Sequence, residues 1–260
     1  MPFKGFIIAD NLYGNIAARE SVDIDLFVHD SDLEKVRELM TGDGYSVESS
    51  FASCSVNEIR TNFGEYNFDR FEGDKRIYHF EFHIGISLPV YGMNIGLEDL
   101  SSNVFRGKAQ NHELWLFNTS AALLLTIMHH GGDDRFIKLQ QVYDIALFLE
   151  RHDVIDWNWV INEANRFGLK KVVYVAVRLA FMIAGATIPR ALNSGAELSS
   201  VKRLAEDRVR LLSQPSDYWH TFRFNFSNWL FRVRSRTGFR LKLRITFYSF
   251  TTIVKKLLAR

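Results

Sequence analysis

The sequence predicts an α+β protein, a small mixed-sheet domain followed by an α-helical one. Three observations predict it. Two acidic residues one position apart sit inside an apolar run, Val22-Asp23-Ile24-Asp25-Leu26-Phe27-Val28. Within residues 76–84, after a Gly73-Asp74 turn, Tyr78, Phe80 and Phe82 alternate strictly with His79, Glu81 and His83. Beyond about residue 111 the apolar spacing changes from two to nearly four, the period of helices.

The elements follow in order. Lys4-Gly5 ends a short apolar entry, and apolar residues at 8, 9, 12 and 13 fit one helical face that Gly14 closes. Side chains two apart in a strand share a face, so Asp23 and Asp25 project together while Ile24 and Leu26 turn to the core. Asp30-Ser31-Asp32 caps a helix over residues 33–40, with Leu33, Val36, Leu39 and Met40 inward and Gly42 or Gly44 at its end. Tyr45-Ser46-Val47 begins a strand, and residues 66–71 and 76–84 form a hairpin. In its second arm His79, Glu81 and His83 share one face and Tyr78, Phe80 and Phe82 the other.

The second half reads as helices. Residues 114–129 are apolar, 136–151 carry Ile137, Val142, Ile145, Ala146 and Leu149 at helical spacing, and Asp156 caps a helix ending at Gly168. Residues 170–186 are too short and too charged for a membrane span, so they predict a core helix. His129-His130 before Asp133-Asp134 looks like a metal cluster. Adjacent helical residues diverge by about 100°, which favours a polar turn instead. Asp144, inside an apolar helix, calls for a partner such as Arg178 or Lys138.

Composition bounds the function. The 260 residues are 47% hydrophobic and 24% charged, enough for one large core or two smaller ones. The lone Cys54 excludes an internal disulfide framework and suits a reducing cytoplasm, and the start carries no signal-type apolar region. Residues 218–260 hold ten Lys or Arg and no Asp or Glu against a net charge of +2, so the preceding chain carries −8. Aromatics interleave with these cations, which suits an anionic membrane surface or helices packed on the acidic body, and nucleic acid less well for want of a motif.

Two carboxylates this close repel, and a divalent cation relieves the conflict. Hard oxygen ligands suit Mg2+ held with substrate phosphates. A glycine at a helix start lets backbone amides approach a phosphate, and Lys4 can add a point charge. Arg19 has two options, a phosphate or local pairing with Glu20 or Asp23. The plain alternative for Asp23 and Asp25 is a solvated edge strand.

Lys4-Gly5, Leu12-Tyr13-Gly14, Arg19, Asp23-Ile24-Asp25-Leu26-Phe27-Val28, Asp32-Leu33 and Gly44-Tyr45 resemble the uncharacterised nucleotidyltransferase family of the polymerase-beta-like superfamily. The resemblance runs on through His130-Gly131, Tyr143-Asp144-Ile145-Ala146 and Asp156-Trp157 to Gly168-Leu169, covering roughly residues 3–190. It implies a third carboxylate on a strand paired with the Asp-x-Asp strand, for which Glu81 fits, either ligating metal or taking the acceptor's proton. The alternative for Glu81 is a cross-strand pair with Arg70 or Arg76. The implied activity moves a nucleoside monophosphate from a triphosphate such as ATP to a hydroxyl or phosphate acceptor. Asp23, Asp25 and Glu81 would hold Mg2+ or Mn2+, while Lys4, Gly5, Arg19 and His83 would bind the nucleotide or orient the acceptor; a hydrogen-bonded core residue is the other reading of His83.

The expected parts are a catalytic domain over residues 1–110, a helical domain over 111–217 that closes on it, and a basic aromatic segment over 218–260. The cytoplasm, with membrane association through that last segment, is the expected location. Two departures from the family weaken the activity: only Met1-Pro2-Phe3 stand where a helix and strand precede Lys-Gly, and bulky Phe6 follows the glycine. They favour a rival, a degenerate relative that binds nucleotide or a membrane partner without turnover. A metal-dependent glycosyltransferase fits less well, since only 22 residues precede the acidic pair.

Overall fold

The computed structural model describes residues 1–151 and 154–258. They group into two compact units, residues 1–89 with 93–125, and residues 90–92 with 126 onward.

In the first unit α1 (Phe6–Ile8) runs directly into a wider π turn, Ala9–Tyr13, closed by Gly14 in the left-handed region at φ 70°. Then come β1 (Ile24–Phe27), α2 (Leu33–Gly42), β2 (Ser46–Val47), α3 (Val56–Asn62), β3 (Glu65–Glu72) and β4 (Lys75–His83). The sheet order is β1-β4-β3-β2, with β1 parallel to β4 and the other pairs antiparallel. Residues 1–3 extend along the free side of β1: Pro2 bridges Leu26, and the Phe27 N–H donates to the Met1 carbonyl at 2.6 Å.

Aromatic side chains fill the core beneath this sheet. Tyr66, Phe68 and Phe82 pack with Ile59 and Leu33, and Leu26 and Val28 lie against them. Ile24 is only partly buried, so the deepest side chains of β1 are Asp25 and Phe27, on the face opposite to the one expected. That face is covered as well: Phe3 and Phe117 meet the Phe27 ring edge-on at 5.3 and 6.1 Å.

Two local expectations need correction. Asp30–Asp32 forms a short 3-10 turn and no side chain caps α2, whereas α3 carries an unforeseen capping box between Ser55 and Glu58. Residues 114–117 are strand rather than helix. They belong to β6 (His112–Phe117), which pairs with β5 (Val104–Ala109) through a turn at Gln110 and Asn111, both at positive φ (49° and 68°). Two-residue hairpins need that geometry, but Gln-Asn lacks the glycine that usually advertises it. The hairpin packs Ala109 and Leu116 on Ile7 and belongs to the first unit.

The unit boundary falls within α4 (Thr119–Ile127), whose last turn widens into a π turn, Met128–Asp133. The second unit continues with α5 (Leu139–Arg151), α6 (Trp157–Arg166), α7 (Lys170–Ala184), α8 (Asn193–Ala196), α9 (Ser199–Leu212), α10 (Phe222–Ser235) and α11 (Phe239–Leu258). Helix α7 lies at its centre against α5, α6 and α9, with Val172, Val173, Val175, Ala176 and Leu179 buried. Arg178 pairs with Glu197, not Asp144; the partner of Asp144 is His130. Among the described residues no helix is long and apolar enough to cross a membrane.

Phe68, fully buried, touches Tyr66 and Phe82 at ring separations of 4.7 and 5.8 Å. Phe68→Ala is expected to lower stability by about 3–5 kcal/mol in urea titration, and a loss below about 1 kcal/mol would show that the sheet core relaxes around the vacated volume.

Candidate active site

Parallel pairing sets Asp25 of β1 directly opposite Glu81 of β4, and Glu81 stands opposite Asn67 of β3. One row of the sheet therefore carries two carboxylates on neighbouring strands, the pairing that the family resemblance implied for Glu81. Asp23 lies just before β1, in a bend, and is half-buried. Its Oδ1 accepts a hydrogen bond from Ser21 Oγ at 3.3 Å.

Two cations enter the row. Lys4 Nζ lies 2.7 Å from Asp25 Oδ1 and 3.5 Å from Glu81 Oε2. His83 Nε2 reaches the same two oxygens, at 3.0 and 3.2 Å. Asp25 and His83 are each 1% exposed, so these charges meet with little water between them. Glu81 Oε1 is taken by His79 Nε2 at 3.3 Å, and His79 Nδ1 lies 2.7 Å from Asp69, which Arg76 also reaches. The alternative reading of Glu81, a cross-strand pair with Arg70 or Arg76, is not what the structure shows: Lys4 and two histidines contact Glu81, and Arg76 serves Asp69.

The titration behaviour follows from this geometry. Burial and the Lys4 ammonium oppose charge on His83, but its hydrogen bonds to Asp25 and Glu81 outweigh them and push its pKa up to about 9. Burial works against the Glu81 carboxylate, yet the His83 hydrogen bond and Lys4 hold it well below the usual range. Burial likewise opposes the Lys4 ammonium, and Asp25 and Glu81 raise its pKa nonetheless. Asp23 goes the other way: burial raises it first, then repulsion from Asp25 and Glu81. Glu65 is also raised, chiefly by burial, with His83 offsetting part of the effect.

Gly5 delivers Lys4 to the carboxylates. It sits at φ 60° and ψ −123°, a conformation open essentially to glycine, and a Cβ there would meet Ser21 Oγ at 2.8 Å. Phe6, the bulky residue after it, points away into the hairpin contact around Ile7. Lys4, expected as a phosphate-binding charge, is engaged with Asp25 and Glu81. Arg19 donates to the Glu20 carbonyl at 3.3 Å, the local alternative to a phosphate role.

The residues fit a hard cation in one specific respect. Asp25 Oδ2 is buried without a hydrogen-bond donor, and the Asp23 and Glu81 carboxylates stand close enough to repel one another. Asp25, Glu81 and His83 bring ligand atoms within 4.8 Å of one another; the expected Asp23 adjoins this set without belonging to it. Asn67 and Glu65 went unrecognised in the sequence, although Glu65, Asn67 and Asp69 alternate with the core residues Tyr66 and Phe68, which is the signal that places them on the site's face.

The geometry is that of an acidic row on a small mixed sheet, entered by a lysine from a glycine turn. The chain belongs to the family described as uncharacterised nucleotidyltransferase, which it matches over residues 1–185. No curated protein and no solved structure matches it.

His83 supplies a pH test. Its folded pKa lies above the unfolded value of about 6.5, so its pairing contributes fully below that value and is lost as pH rises through about 9. For the metal-free protein, stability is expected to fall by up to ~3 kcal/mol over this window, with the His83 ring titrating near its upper end by NMR. His83→Gln should flatten the profile; an unchanged profile would assign the dependence elsewhere.

Proposed function

We propose that this chain is a nucleotidyltransferase that moves a nucleoside monophosphate from a nucleoside triphosphate to a hydroxyl or phosphate acceptor. The observation that carries the reading is the register of Asp25 against Glu81, together with the orphaned, buried Asp25 Oδ2. Family membership gives the reaction class, and this row is where its charge chemistry belongs.

Asp23, Asp25 and Glu81 are the acids assigned to hold a divalent cation, Mg2+ or Mn2+. When bound, that ion neutralises charge on the transferring phosphoryl group and on departing pyrophosphate. Lys4 and His83 lie against both Asp25 and Glu81, and they keep Glu81 ionised inside the sheet, so that acid need not lose a proton before use. Glu81 is held too acidic for a good proton acceptor, so we assign it to holding charge rather than deprotonating the acceptor. Gly5 opens the turn at which phosphates approach, and Arg19 lies on the loop leading to Asp23.

With each labelled triphosphate, Mg2+ and lysate as acceptor source, the protein is expected to release pyrophosphate. Asp25→Ala and Glu81→Gln should each lower that rate by about 10²–10³. Metal-dependent nucleotide binding by the wild type without any pyrophosphate release would support the degenerate binder instead.

We further assign an anionic membrane surface as the partner of residues 218–260. On α11 the exposed side chains Phe239, Leu243, Phe247 and Phe250 are spaced four, four and three apart, so they share an arc of about 80°. Arg240 and Arg244 border this stripe, while Ile245 on the opposite side is buried and Tyr248 packs on Tyr91. An apolar stripe edged by cations is the form of an interfacial helix. The protein should float with phosphatidylglycerol vesicles at low salt, less with phosphatidylcholine, and Phe247→Glu should abolish flotation. Equal recovery with both lipids, or none with either, would remove the membrane from the account.

A further inference from the structure

We infer that His129, His130 and Asp134 form a second metal site, one that takes a borderline transition ion of the Zn2+ class. In a regular helix two adjacent histidines diverge, but α4 ends in the π turn Met128–Asp133. There the rings stand nearly edge to face, at 68°, and their Nδ1 atoms lie 3.3 Å apart. Asp134 Oδ2 lies 3.5 Å from His129 Nδ1. Four-coordinate zinc, with bonds of about 2.0–2.2 Å, requires ligand atoms about 3.3–3.6 Å apart, so both separations match that geometry. All three ligand atoms fall within 4.8 Å of one another.

The surroundings hold these ligands in place. Asp144, fully buried, binds His130 Nε2 at 2.9 Å, which turns Nδ1 of the same ring toward His129. A buried carboxylate on the far nitrogen of a ligating histidine fixes ring orientation and raises ligand basicity. Gln141 Nε2 donates to Asp134 Oδ2 at 2.6 Å and sets that carboxylate. Arg236 donates to the Gly132 carbonyl at 2.7 Å and Arg232 to the Asp133 carbonyl at 2.8 Å, bracing the turn from behind. Gly131 is tightly enclosed, since a Cβ would collide with Phe136 and Val172. Arg135 and Phe136 both adopt positive φ, 65° and 53°, a costly backbone for such residues and one that recurs at ligand clamps.

The site is also accessible. The His129 and Asp134 side chains are 16% and 34% exposed, which leaves a path for an ion. Two imidazoles with one carboxylate suit zinc, whereas the oxygen-rich Asp25 cluster suits a hard ion. Without metal, one Nδ1–H donates to the other ring; binding an ion through both Nδ1 atoms moves that proton to the Nε2 of the same ring, which stays neutral.

The test is a Co2+ titration of the full chain in excess Mg2+, followed by visible absorption. One equivalent of tetrahedral-type signal is expected, displaced by Zn2+. His129→Gln and Asp134→Asn should each abolish it without changing the circular dichroism, Asp144→Asn should weaken binding about 10–100-fold, and Asp25→Ala should leave it intact. If no saturable signal forms, or if His129→Gln and Asp134→Asn retain it, the histidines are a hydrogen-bonded pair and the proposal fails.

Discussion

Lys4 and His83 occupy the seam between β1 and β4, pair with Asp25 and Glu81, and hold Glu81 charged where little water reaches it. Taking an ionised carboxylate out of water costs several kcal/mol, and only close, well-oriented cations offset that penalty. The arrangement constrains much of the first unit. Parallel pairing must set Asp25 beside Glu81, and the chain must turn at Gly5 through a backbone that side chains resist. Phe3 must stand edge-on to His83, at 5.0 Å, to keep the seam dry.

The site was legible where periodicity governs it. A strict period of two put Glu81 and His83 on one face of β4, and an acidic pair in an apolar run marked β1. Three-dimensional pairing was not legible. No local pattern says that Lys4 reaches Asp25, or that His130 rather than Arg178 partners Asp144. Nor could the sequence show which acid stands apart: Asp23 precedes the strand, so the i, i+2 rule no longer aligns it with Asp25. The β5–β6 hairpin hid because an apolar stretch of four to six residues reads equally as strand or helix, and Gln110-Asn111 lacks the usual turn signal. The π turn hid for a related reason, since an added backbone residue in one turn leaves the apolar pattern of α4 almost unchanged.

The basic segment is divided in its use of charge. Arg232 and Arg236 face inward, and burial pushes Arg236 down to about 9 despite its hydrogen bond to Gly132. Arg240 and Arg244 stay in water beside the aromatic stripe of α11. A count of cations joins these two groups; the fold separates a structural pair from a surface pair. Arg208 resembles the inward group, since it is buried against Phe231 and bonded to Asn228 and Ser227. The second unit thus uses guanidinium groups as internal ties, for which a planar five-donor head is better suited than an ammonium.

The bond from Arg236 to the Gly132 carbonyl spans 104 positions, and it has a consequence for biogenesis. At synthesis rates of about 5–20 residues per second, the peptide around Gly132 leaves the ribosome roughly 5–20 seconds before the arginine that will anchor it. Through that interval the nascent segment lacks its lock, whereas the β3–β4 ribbon, whose partners are sequence neighbours, can zip as soon as it emerges. Assembly of this polypeptide is therefore vectorial at its front and retroactive at its rear.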